Sequence, residues 1–193
     1  MSPRKRFVIF LTAVVGFILI LFLIFGRGSS NTPKPIETNK KDKAPSSLVD
    51  FIDRDSKVIL TVAGRINGDD AHRQIRITVT PTEREVEVIQ GYQNNVIKKQ
   101  NFSNNKPAYD QFMRSLARTG FSKERKSVLK DERGICANEQ RYVYEIIDND
   151  EQVSRTWAGQ CNKGNSMGNA PFILHLFRNQ ISDYGKFVNG VNL

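Results

Sequence analysis

Hydrophobic residues run unbroken by charge from Phe7 to Phe25, all but vanish until Leu48, and from there return at every second or every third to fourth position. The first run, FVIFLTAVVGFILILFLIF, is roughly 19 residues long. As a helix it covers about 28 Å, close to the ~30 Å hydrocarbon core of a bilayer. A cleavable secretory signal is the rival, with Arg4, Lys5 and Arg6 as its charged lead. Its apolar stretch would exceed the usual ~7–15 residues, and the following GRGSS lacks a small-residue cleavage site. The pattern therefore predicts an uncleaved transmembrane signal-anchor over 7–25. Lys and Arg concentrate ahead of it, which makes 1–6 a cytoplasmic tail and sends the rest outward.

The next stretch, 26–47, is built from Gly, Ser, Pro, Asn and Lys. It has too little apolar surface to offset the entropy of ordering, so it reads as a flexible linker. From Leu48 the period changes. KVILTVAGRI, RQIRITV and REVEVIQGY alternate apolar and polar residues as half-buried strands do, and VIKKQNF follows the Asn94-Asn95 turn signal. NKPAYDQFMRSLARTG then puts Tyr109, Phe112, Met113 and Leu116 at helical spacing, with Pro107 in the first turn and Gly120 past the end. A hairpin of RYVYEIID and QVSRTWAG comes next. A second helix opens at Asn169 and Pro171, with Phe172, Ile173, Leu176 and Phe177 on its buried side. Strands, helix, hairpin, helix gives an α+β fold: one domain over 48–193, an antiparallel sheet with helices packed on one face.

The two cysteines flank that hairpin. With the turn at Asp148-Asn149, Cys136 falls opposite Cys161, Gln140 opposite Trp157, and Tyr144 opposite Val153. Tyr142, Tyr144, Val153, Trp157 and both sulfurs then share a face. Two free buried thiols fit this register as well. Beyond a membrane, in an oxidising space, the expectation is a Cys136–Cys161 disulfide. The spacing is not C-x-x-C, so a structural bridge is expected and not a redox centre.

GICANEQRYVYEI, RTWAGQC and FILHLFRNQISDY resemble the C-terminal half of uncharacterised single-pass surface proteins of reduced-genome candidate-phylum bacteria. The resemblance covers about a third of the chain. It implies topology and carries no known activity.

Charge changes the picture little. Of 29 Lys/Arg and 20 Asp/Glu, eight and two lie in 1–43, leaving +3 on the remainder of a chain whose net charge is +9. The excess sits mostly outside the domain, which argues against a nucleic-acid partner. Candidate chemistry is sparse. His72 beside Asp69 and Asp70 offers ligand types for a cation, but Asp-rich loops are ordinary turn chemistry, so no metal is expected. His175 reads as a packed or partly exposed helix residue. Glu83, Glu85 and Glu87 have a period of two and should line the outer face of a strand opposite cationic neighbours. The KERKSVLKDER stretch reads as a solvated loop.

Two features remain as binding candidates. Lys163, Gly164 and Gly168 lie in a glycine-containing loop ahead of a helix, where free N–H groups can hold an anion. Tyr142, Tyr144 and Trp157 form an aromatic cluster, suited to a recognition surface and equally to a core boundary. Asn101-Phe102-Ser103 spells a glycosylation sequon, and Thr12 with Gly16 offers one small-residue pair for helix packing in the membrane. No hydrolase, zinc-protease or nucleotide-loop motif is present, so neither an enzyme nor a cofactor is expected. The leading expectation is a membrane-tethered extracytoplasmic binding module that meets a protein, peptide or envelope polymer. A structural subunit of an envelope complex is the alternative, with an extracytoplasmic enzyme behind it.

Overall fold

The computed structural model describes residues 47–162 and 164–193. The tail, the anchor and nearly all of the linker expected over 1–46 lie outside the described residues, as does Lys163. Among the described residues no helix is long and apolar enough to cross a membrane.

After a short 3-10 turn, Leu48–Phe51, come β1 (Ser56–Ala63), β2 (Arg73–Val79), β3 (Glu83–Gln90) and β4 (Asn95–Ser103). They are followed by α1 (Lys106–Arg118), β5 (Arg141–Asp148), β6 (Glu151–Gly159), α2 (Ala170–Arg178) and the single turn α3 (Tyr184–Phe187). The six strands form one sheet in the order β4-β3-β2-β1-β5-β6, antiparallel throughout. The chain is thus α+β. A four-strand meander is laid down first, and α1 carries the chain back so that β5 pairs with β1.

Alternation decides which face is buried. Val58, Leu60 and Val62 of β1 align with Val79, Ile77 and Ile75 of β2 and with Ile146, Tyr144 and Tyr142 of β5. All of these belong to one core, which also takes Tyr109, Phe112, Met113 and Leu116 from α1 and Ile173 and Phe177 from α2. The helices therefore cover one face of the sheet. α1 and α2 are each started by an asparagine: Asn105 Oδ1 accepts from Ala108 N at 3.0 Å and Asn169 Oδ1 from Phe172 N at 3.3 Å, satisfying N–H groups that the first turn leaves unpaired. The Tyr109 hydroxyl donates to Ser56 O at 3.1 Å, and 2.9 Å separates it from Ser56 Oγ, which fixes α1 to the start of β1. Phe112 meets Phe177 edge-on at 5.2 Å, joining the two helices.

Phe172 departs from its expected burial: it is 63% exposed. Ile173 and Phe177, four apart, define the buried stripe, and the preceding residue is rotated about 100° away from it. Leu176 is half-buried.

The hairpin register also differs from the expectation. Tyr142 pairs with Ala158, Val143 with Trp157 and Tyr144 with Thr156, three positions away from the sequence-based pairing. The turn residues are Asn149 and Asp150, both left-handed with φ of 48° and 63°, and the ladder shifts again between Ile146 and Ile147. An odd displacement sends a strand's side chains to the opposite face. Trp157 consequently lies on the face away from the helices, while Tyr142 and Tyr144 stay in the helix-covered core.

Candidate functional site

The expected aromatic recognition surface does not exist as one surface. Tyr142, Tyr144 and Trp157 are all buried, and the register divides them between the two faces. Burial also pushes the Tyr144 phenol well above its ordinary range, and among the described residues its hydroxyl has no hydrogen-bond partner.

Trp157 is covered instead by the segment that follows β6. The ring and carbonyl of Trp157 lie so near Gly164 that an added Cβ there would come within 2.2 Å of Trp157 O and 2.5 Å of Cε3. Gly164 also has a φ of 59°, which disfavours any side chain. From there the segment runs along the outer edge of β6. Ser166 N donates to Trp157 O at 3.0 Å, Trp157 N donates to Asn165 Oδ1 at 2.7 Å, and Gly159 N donates to Asn162 O at 2.6 Å. Beyond it, Arg125 N donates to Asn165 O and Met167 N to Lys123 O. The distal half of β6 is closed by the chain itself.

The disulfide ties down the same region. Cys136 and Cys161 are joined, with Cα atoms 5.5 Å apart, just beyond the paired ends of β5 and β6. Cys136 adopts a left-handed φ of 48°, and Gly159 leaves room for its sulfur, which an added Cβ would approach to 2.5 Å.

That closure engages the N–H groups of Gly164 and Gly168 in the expected anion loop. Gly164 N donates to Asn162 Oδ1, Gly168 N to Ser166 Oγ and Asn169 N to Thr119 O. Gly164 and Gly168 thus serve packing and chain direction at this edge.

The remaining candidates resolve into structural roles. His72 is buried, stacks on Tyr92 at 4.2 Å, and lies 3.0 Å from Arg65 O through Nδ1. Asp69 accepts from Tyr92 N, so it turns to the β3–β4 loop and not to the imidazole. His175 is exposed and meets Asn179 at 3.0 Å. Among the described residues the group of metal-ligand types that converges is Cys136, Glu139 and Cys161, and its sulfurs are bonded to each other. Glu85 and Glu87 reach Lys99 at 2.7 and 3.6 Å, and Arg76 reaches Glu87 at 3.4 Å. This matches the expected cationic neighbours. Glu87, however, is buried beneath them and does not face solvent.

The other end of the sheet is open. Among the described residues β4 pairs with β3 alone. Asn104 N donates to Thr82 O at 2.8 Å, and antiparallel bonds alternate along the strand, so Lys99, Asn101 and Ser103 turn their N–H and C=O groups outward. Ser103 O accepts from Arg84 Nη2 at 2.6 Å, which blunts the last of these. Val96 and Ile97, at the bulge opposite Val88 and Ile89, are 38% and 48% exposed.

Beside this edge, on the helix side, lies a hollow of about 360 Å³ lined by Lys98, Gln100, Phe102, Ser182, Asp183, Lys186 and Phe187. Lys98 Nζ sits 4.6 Å from the centre of the Phe187 ring and donates to Phe187 O at 2.6 Å. The hollow offers two lysines against one aspartate, with aromatic rings as its apolar part. The sequence contains the strand but gives no sign that its backbone edge is open, and Lys98 and Lys186 are far apart in the chain. The chain matches no family model and no curated protein.

Proposed function

We propose that this chain is a membrane-tethered extracytoplasmic binding module, held by the apolar segment 7–25 and working through the open β4 edge. The observation that carries the reading is that edge: outward backbone groups at Lys99 and Asn101, exposed Val96 and Ile97, and a lined hollow alongside. An unpaired strand edge is a ready template for another chain, and strand addition is a recurring mode of peptide recognition. The disulfide supports the compartment, because bridges of this kind persist in oxidising spaces. The membrane anchor is supported by the length and purity of the apolar run.

Protease added to intact cells tests the topology. The carboxyl-terminal domain should be cut or shed from unbroken cells. Protection in intact cells combined with loss after permeabilisation would overturn the reading.

A further inference from the structure

Resting on the binding-module reading, we propose that β4 receives an extended, acidic polypeptide segment as an added antiparallel strand. Its backbone would bond to Lys99 and Asn101, and an acidic side chain would enter the hollow between Lys98 and Lys186.

Backbone geometry supplies the first half of the argument. Lys99 and Asn101 present N–H and C=O groups in the spacing that an antiparallel neighbour uses, and among the described residues no strand lies beyond them. A strand laid there projects alternate side chains to opposite faces. Those on the helix side fall over the hollow, so the same contact that supplies backbone bonds also brings a side chain to a lined site. Main-chain bonds then give affinity and the pocket gives selectivity.

Charge supplies the second half and selects the occupant. Lysines on an edge strand oppose pairing with another cationic strand. A second copy of this chain would bring its own Lys98 and Lys99 to the same edge and set two lysine-lined hollows side by side. An acidic segment meets the opposite situation. Lys98 and Lys186 outnumber Asp183 on the helix side, and Lys98 is already positioned by Phe187. On the other face Lys99 is engaged by Glu85 and Glu87, so acidic preference should arise at the hollow. Val96 and Ile97 add apolar contact at the start of the strand.

The test uses the full chain in lipid nanodiscs with fluorescent synthetic peptides. One alternates glutamate with valine, one replaces each glutamate by lysine, and one is the glutamate peptide N-methylated at alternate residues. The glutamate peptide should bind at least about tenfold more tightly than the lysine peptide, and more weakly as salt rises. The N-methylated form should not bind. Asn101→Pro, which alters an outward N–H and leaves the β3 ladder its donors, should abolish binding. Lys98→Glu combined with Lys186→Glu should reverse the preference for charge.

Equal binding of both charged peptides, unchanged binding to Asn101→Pro, or no binding of any peptide would overturn the proposal. So would self-association in light scattering that Asn101→Pro removes, which would make a second copy the occupant. Surface topology is read separately by the protease experiment, so a peptide failure alone leaves the binding-module reading to stand or fall there.

Discussion

At the distal end of β6, backbone groups of Trp157 and Gly159 meet Ser166, Asn165 and Asn162, and a disulfide closes the region. At β4, Lys99 and Asn101 face outward from a sheet that, among the described residues, ends with them. Both are edges of the same sheet, so the contrast isolates what closing an edge requires. It needs a glycine where the returning chain crosses an indole, an asparagine side chain standing in for a missing carbonyl, and a covalent clamp. Among the described residues none of these devices occurs along β4. Lysines there discourage self-pairing while leaving the backbone accessible.

The largest break in this contrast should come from Trp157→Ala. Trp157 is 0% exposed, and truncating a buried indole costs about 3–5 kcal/mol, measured as a loss of stability in urea. Opening the disulfide should come next. For a separation of 25 residues, chain entropy gives a cost of about 3–4 kcal/mol, read from unfolding curves with and without reductant.

Proline at each edge sharpens the comparison. Ser166→Pro removes the donor to Trp157 O and should cost about 1–3 kcal/mol, whereas Asn101→Pro should cost less than about 1 kcal/mol because its N–H faces outward.

Acid should produce the smallest effect. Burial holds His72 below its ordinary value of 6.5, with Arg141 and Arg73 also opposing protonation and the Arg65 carbonyl and Asp69 favouring it. Because the unfolded chain takes up the proton first, this contribution is full above about 6.5 and is lost as pH falls through the folded value. His72→Gln should flatten the stability profile in that window.

The faces of the sheet were legible in the sequence; its edges and one register were not. Val58, Leu60, Val62, Ile75, Ile77 and Val79 announce a half-buried meander because burial and alternation have the same period. Tyr109, Phe112, Met113 and Leu116 announce α1 for the analogous reason. The cysteine pair was legible as well, and survives a wrong register because Cys136 and Cys161 lie past the paired residues, where the backbone can bring them together.

The hairpin failed at its turn. Asp148-Asn149 and Asn149-Asp150 are similar turn sequences, and the choice between them moves the ladder by two; the shift at Ile146/Ile147 adds one more. Those three positions decide whether Trp157 joins Tyr144 or points away from it. The packing at the expected anion loop was hidden for a different reason: glycines at 164 and 168 signal close approach in general, and composition does not say that Trp157 and Ile173 are what approach them. The β4 edge was invisible because periodicity reports which side chains are buried and says nothing about which backbone groups lack a neighbour. Lys98 and Lys186 become neighbours of one hollow only when α3 settles against β4.

Amide hydrogen exchange on the full chain tests the contrast most directly. The N–H groups of Lys99 and Asn101 should exchange rapidly while those of Trp157, Gly159 and Ser166 are protected, and the glutamate peptide should slow the first pair alone. Protection of Lys99 and Asn101 equal to that of Trp157 in the isolated protein would contradict an open β4 edge.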